Sequence, residues 1–202
     1  GLPTRAILTD MNQPLGRMCG NAVEVDESIA ALSGEGPDDL MEVTYTLGAE
    51  ALAAVGGARG VTELAAAQRK LEAAIASGAA LEKFFEMVRA QGGDPDAPRP
   101  IAKEHVLTAA EEGYVAGIDT LGIGEVIVQM RGGRRTMTDE IDHTGGLEML
   151  VRVGDVVERG QPWLRLFAPD DRAAEVRERI AACLTVTAET VSPLELITAT
   201  IE

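Results

Sequence analysis

The chain has 202 residues, 46% of them apolar, with 18 Lys plus Arg against 33 Asp plus Glu for a net charge of −15; it can build one large domain or two small ones and is too apolar to be disordered. So negative a field works against nucleic acid and anionic membrane, both of which are bound by cationic side chains on phosphates. Cys19 and Cys183 stand far apart without metal-knuckle or dithiol spacing, and no apolar run approaches the roughly 18 to 20 residues of a membrane span, so a soluble, cytoplasmic protein is expected.

Residues 4–10, Thr-Arg-Ala-Ile-Leu-Thr-Asp, predict one strand that stops at Met11-Asn12-Gln13-Pro14 and Gly16, with no partner strand nearby. Ala22, Val25, Ile29 and Leu32 then follow the three-four spacing of a helix that Gly20-Asn21 would start and Ser33-Gly34 would end. Pro37 fits a first helical position, Asp38 and Asp39 suit the positive end of a macrodipole, and Leu40, Val43, Leu47, Ala51 and Val55 mark the stripe of a second helix up to Gly56-Gly57. Two more helices run from Thr62 with Leu64, Ala67, Leu71 and Ile75, and through Leu81, Phe84, Phe85 and Val88, closing near Gly78 and Gly92-Gly93. With aromatics at 3% of the chain, these helices are expected to pack through small aliphatic side chains. The prolines and glycines from Gly92 to Pro100 read as a linker, which divides the chain into 1–92, the linker 93–100, and 101–202.

Beyond the linker the apolar period becomes strand-like. Val106, the segment 113–118, Met149 to Val153 and Trp163 to Phe167 are short runs set between glycines, and they predict a small antiparallel β structure. Helices are expected over 119–129 and 170–183, where Ala173, Val176 and Ile180 share a face, and a closing strand over 194–201. Val153 to Leu164 has the turn-and-strand rhythm of biotinyl and lipoyl carrier domains; the likeness is one of scaffold, since a carrier presents a modified lysine at a hairpin tip and Lys103 is the one lysine after residue 100.

The common catalytic signatures are absent: there is no His-Glu-x-x-His, no Gly-x-Ser-x-Gly and no phosphate loop ending in Gly-Lys-Ser/Thr. His105, in a strand, and His143, near a turn, have no cysteine or serine pattern to recruit them and are expected to be structural or surface residues. Gly122-Ile123-Gly124 lacks the third glycine and the preceding parallel strand of a dinucleotide fingerprint and is expected to serve a tight turn. Arginines such as those of Gly132-Gly133-Arg134-Arg135 suit bidentate anion binding, but in so acidic a chain they are expected to pair with Asp139, Glu140 or Asp142. The stretch from Leu8 to Val25 reads as a strand end, a polar loop and a helix start, which brings carbonyl oxygens close to a carboxylate, a setting for a hard cation. Spacing alone favours the plainer alternative, that Glu24 sits in a first helical turn where the macrodipole favours it by roughly 0.3 to 1 kcal/mol.

The run Thr9-Asp10-Met11-Asn12-Gln13-Pro14-Leu15-Gly16, followed by Gly20-Asn21-Ala22-Val23-Glu24-Val25, closely resembles the thymidine and pyrimidine-nucleoside phosphorylase family. The likeness continues through Gly34-Glu35-Gly36-Pro37-Asp38-Asp39-Leu40, Met87 to Gly93, and Gly132 to Arg135 with Ile141-Asp142. It implies an α+β fold: one strand of an incomplete α/β domain plus helices, then a C-terminal domain of the α/β-hammerhead type with antiparallel strands, all within a longer, homodimeric parent. It also implies reversible phosphorolysis, in which phosphate as co-substrate displaces thymine or uracil from C1′ of a pyrimidine nucleoside. The family's phosphate and base contacts lie upstream of the matched stretch, so no catalytic or cofactor-binding residue carries over, and the chain alone is expected to be inactive and to support domain closure. What does carry over is part of a potassium site, with Leu15 and Met18 acting through backbone carbonyls and Glu24 through its carboxylate. Met18 stands where relatives often have alanine, which matters little to a carbonyl ligand; Arg131 stands where they tend to carry a small or apolar residue. The reading from another class is a non-catalytic interaction module, whose carrier-like β domain docks a partner protein while the helices form an oligomer surface.

Overall fold

The computed structural model describes residues 4–55 and 61–201. In chain order they form β1 (Ala6–Thr9), β2 (Met18–Gly20), α1 (Ala22–Leu32), α2 (Asp38–Val55), α3 (Val61–Ala76), α4 (Ala79–Ala90), β3 (Glu104–Thr108), β4 (Gly113–Ile118), α5 (Thr120–Gln129), β5 (Gly146–Met149), β6 (Val156–Val157), β7 (Pro162–Phe167), α6 (Asp170–Ala181), β8 (Leu184–Thr187) and β9 (Ile197–Ile201). The helices therefore form where the apolar spacing places them. Two of them stop for one reason: Gly34 (φ 90°) and Gly92 (φ 82°) take the left-handed backbone, so that Glu35 N–H reaches Ala30 O at 2.8 Å and Gly93 N–H reaches Val88 O at 2.9 Å, satisfying last-turn carbonyls. The glycine pair Gly56-Gly57, expected to end the second helix, lies outside the described residues.

The strands form three sheets, ordered β1-β9, β2-β5-β7-β3 and β6-β4-β8, and every pairing is antiparallel. With the helices this makes an α+β fold. Three expectations change. The first strand has a partner after all: Ala6 faces Ile201 and Leu8 faces Ala199, so it is β9, the closing strand of the chain, that covers β1. The run Met149 to Val153 is not a strand; β5 ends at Met149, and Val151 and Val153 are buried from the irregular segment that follows it. Gly122 and Gly124 lie inside α5 and not in a tight turn, because Asp119 caps that helix by accepting the Gly122 N–H at 2.9 Å.

The chain divides into two units, which it joins at Thr9/Asp10, Asp26/Glu27, Pro98/Arg99 and Leu194/Glu195. Two segments lie apart from their sequence neighbours in this division. Residues 10–26 belong with the β-rich unit because β2 completes a sheet on β5, and residues 195–202 belong with the helical unit, whose β1 pairs with β9. In the helical unit α2 packs on α3 and α3 on α4. The β-rich unit holds one buried cluster around Leu107, Leu147, Met149, Trp163, Leu164, Leu166, Val176 and Ile180. No helix among the described residues is long and apolar enough to cross a membrane.

Candidate functional site

Within the β-rich unit, the segment from Asp10 to Asp26 is shaped less by its own side chains than by what grips its backbone. Asp10 Oδ1 accepts the Asn12 N–H at 3.1 Å and Asn12 Nδ2 at 2.6 Å, which turns the chain after β1. Gln13 Oε1 accepts the Val153 N–H at 3.0 Å. Arg152 then forks over the loop, donating Nη1 to Pro14 O at 2.6 Å and Nη2 to Gly16 O. Past Gly16 the Met149 N–H donates to Arg17 O at 2.7 Å, and β2 runs beside β5 with Met18 opposite Glu148 and Gly20 opposite Gly146.

At Gly20 the two backbones approach so closely that a Cβ would lie 2.8 Å from Gly145 O and from Gly146 Cα, and φ there is 147°. Only glycine suits that position. Helix α1 begins one residue later, tied to the loop after α5: Asn21 Nδ2 donates to Gly132 O at 2.9 Å and the Ala22 N–H to His143 O at 3.2 Å. Glu24 Oε1 accepts the Gly20 N–H at 2.7 Å, a first-turn carboxylate reaching back over the helix entrance much as in a capping box.

Leu15, Met18 and Glu24 thus lie on one continuous loop-strand-helix segment. Leu15 is exposed, Met18 is half-buried in β2 and Glu24 is exposed in the first turn of α1. As a donor set they are all oxygens, two carbonyls and a carboxylate, which suits a hard cation. Among the described residues no three His, Cys, Asp or Glu side chains gather into a metal-binding group, so backbone carbonyls would have to do most of the ligating here.

The loop after α5 shows where the sequence reading of the arginines needs correction. Asp142 does pair with an arginine, but with Arg172 at 2.6 Å, while also accepting the Thr144 hydroxyl at 2.7 Å and the Thr144 N–H at 3.0 Å. The Thr144 hydroxyl is the main reason that its carboxyl is held below the ordinary carboxylate value; the Thr144 N–H and Arg172 act in the same direction and burial opposes them. Asp139 accepts the Thr136 hydroxyl at 2.6 Å and the backbone N–H groups of Arg135 and Thr136, and these bonds, the hydroxyl first, lower its carboxyl too. The acids thus fold their own loop, and among the described residues the side chains of Arg134 and Arg135 have no ion pair. Arg135 instead lines an open groove of about 850 Å³ with Met11, Leu121, Val128 and Arg179. Arg131 adopts φ 70°, the left-handed conformation at the end of α5, with its N–H on Val128 O at 3.1 Å and the Gly132 N–H on Ile127 O at 2.9 Å.

His105 Nε2 lies 3.0 Å from Ala168 O and 3.6 Å from Asp170, whose carboxylate is held by Lys103 at 2.6 Å; His143 contributes its carbonyl to α1. In the carrier-like segment Arg159 and Gly160 occupy the turn between β6 and β7, which lie in different sheets, and Lys103, the one lysine after residue 100, stands before β3. The bonds made by Gln13, Arg152 and Arg172, and that of Asn21 to Gly132, are not legible in the sequence. Gln13 and Asn21 have a signal, their place in the resembling motif, and Asn21 also as the expected helix start; a lone arginine such as Arg152 carries none.

Residues 114–187 match the family described as the pyrimidine nucleoside phosphorylase C-terminal domain. A pyrimidine-nucleoside phosphorylase of Bacillus subtilis (strain 168) is 38% identical over 199 residues, which cover 96% of this chain and 45% of that relative. Another, from Staphylococcus aureus (strain USA300), is 37% identical over 199 residues with the same coverage. The chain spans less than half the length of the curated relatives it matches.

Proposed function

Because the chain belongs to the pyrimidine-nucleoside phosphorylase family, we propose that it works as part of an enzyme that reversibly phosphorolyses thymidine or another pyrimidine nucleoside. In that reaction a phosphate oxygen forms a bond to C1′, the C1′–N bond breaks, and its electron pair leaves with the base, giving base and (deoxy)ribose 1-phosphate. The observation that carries the reading is the identity of 38% sustained over 96% of the chain. This chain's share is support and domain closure, with the groups that touch phosphate and base supplied from elsewhere in a longer protein. The same reading includes an α/β-hammerhead-type fold for the β-rich unit, a homodimeric and cytoplasmic parent, and nucleoside and phosphate, without nucleic acid, as its partners.

The reading extends to a potassium site on the loop, with the carbonyls of Leu15 and Met18 and the carboxylate of Glu24 as part of the ligand set. Bound there, the ion would supply a fixed positive charge around which the loop oxygens gather. Glu24 already reaches back to the Gly20 N–H at 2.7 Å, so it organises the same turn that the cation would.

Phosphate-dependent release of thymine from thymidine tests the assignment. The 202-residue chain alone should release none, and a version extended at its N-terminus with the preceding reading frame should be active. Turnover by the chain alone would overturn the division of labour, and an inactive extended protein would overturn the reaction.

A further inference from the structure

We infer that Arg152 is a positioning residue for the cation loop, setting the Leu15 carbonyl by clamping the carbonyls on either side of it; the inference rests on the potassium reading above. A guanidinium is planar and presents its donors as a rigid fork. Here the two arms of that fork go to Pro14 O, at 2.6 Å, and to Gly16 O, so the peptide units on either side of the one that carries the Leu15 carbonyl are held by one rigid group. Next to Arg152 the Val153 N–H holds Gln13 Oε1 at 3.0 Å, and the Asp155 carboxylate accepts the Arg152 N–H at 2.8 Å, which steadies the backbone that carries the fork. The second candidate carbonyl, that of Met18, is set from the same stretch: Met149 N–H donates to Arg17 O, and Met18 lies opposite Glu148 in the β2–β5 ladder. Since Arg17 is bonded towards β5, the alternation of an antiparallel pair turns the Met18 peptide groups away from β5. One segment, Gly146 to Val153, therefore shapes both carbonyl positions of the loop, and Arg152 reaches the peptide units around Leu15 with its side chain.

Charge and geometry act in opposite directions, which makes the role testable. A guanidinium near a cation repels it. If Arg152 acted on the loop through its charge, removing it would tighten cation binding; as a positioning residue, its removal weakens binding. Lysine keeps the charge and loses the fork, so Arg152→Lys should behave like Arg152→Ala.

The experiment titrates the full 202-residue chain and its Arg152→Ala and Arg152→Lys variants with thallium(I), followed by thallium NMR, and measures amide hydrogen exchange over Leu15 to Gly20 on the same samples. Both variants are expected to weaken thallium binding by on the order of tenfold, the usual effect of losing a group that orients a metal ligand, and to speed exchange in the loop while leaving Leu164 and Leu166 of β7 protected. Unchanged or tighter thallium binding in the variants would overturn the positioning role. Absence of saturable thallium binding by the unsubstituted chain would instead overturn the potassium reading; loop exchange then decides the clamp by itself, faster exchange in Arg152→Lys upholding it and unaltered exchange refuting it.

Discussion

The two units are built from different materials. The β-rich unit closes around large side chains: Trp163, Leu147, Leu164, Leu166, Met149 and Ile180 are each at most 1% exposed. In the helical unit the buried apolar residues among those described are all alanines, Ala31, Ala49, Ala53 and Ala67, and α4 buries none of its residues fully. Meanwhile Leu47, Leu52, Val55 and Met87 are between 42% and 90% exposed. Small residues let helices approach closely, but each removes little apolar area from water, whereas a buried Leu or Phe contributes about 1.5 to 3 kcal/mol. A helix also gains most of its stability from packing an apolar face. The cohesion of this chain therefore resides in the β-rich unit, which is also the unit that grips the Asp10 to Asp26 loop.

Substitutions in the two units should separate them. Trp163→Ala removes the largest fully buried side chain and should cost about 3 to 5 kcal/mol by denaturant titration; a cost near 1 kcal/mol would mean that the β-rich core is looser than its burial. Gly20→Ala should cost about 2 kcal/mol, because its methyl would meet backbone 2.8 Å away at a φ of 147°, and the loss should appear first as faster exchange in β2. In the helical unit Phe85→Ala, at a half-buried position of α4, should cost about 1 kcal/mol. A loss there equal to that of Trp163→Ala would erase the contrast.

Two smaller effects sharpen the account of the loop after α5. The Asp142 carboxyl is held below its ordinary value, by the Thr144 hydroxyl first. Its stabilising effect is thus complete above the unfolded-state value of about 3.9 and is lost as pH falls through the lower folded value. The gap in urea midpoint between the wild type and Asp142→Asn should accordingly be widest near neutrality and close in acid; a constant gap would show that the carboxylate charge is not what matters. Arg131 holds a left-handed backbone at φ 70°, so Arg131→Gly should raise stability, by up to about 1 kcal/mol in thermal unfolding.

What the sequence made legible follows its local physics. The helices α1 to α6 could be read because their apolar spacing is contained within each segment, helped in α1, α3 and α4 by glycines just past their ends, and β3, β4 and β7 because they are apolar runs between turns. The pairing of β1 with β9 could not, since Ala6 and Ile201 stand at opposite ends of the chain, nor could β2 and β6, which span three and two residues and exist only through their partners. At the site, Leu15, Met18 and Glu24 entered through a family resemblance, and the structure adds what surrounds them. Carbonyl ligands leave no mark in side-chain chemistry, and the Arg152 fork joins residues far apart in sequence. The arginines Arg134 and Arg135 show the opposite error: proximity in sequence suggested partners in Asp139 and Asp142, whose oxygens are engaged by Thr136, Thr144, Arg172 and backbone N–H groups.

Native-state amide hydrogen exchange on the whole chain tests the contrast between the units most directly. Amides of β5 and β7 should open only with global unfolding, while those of α2, α3 and α4 should exchange through openings of much lower free energy. Equal protection in the helices and in β5 and β7 would contradict it.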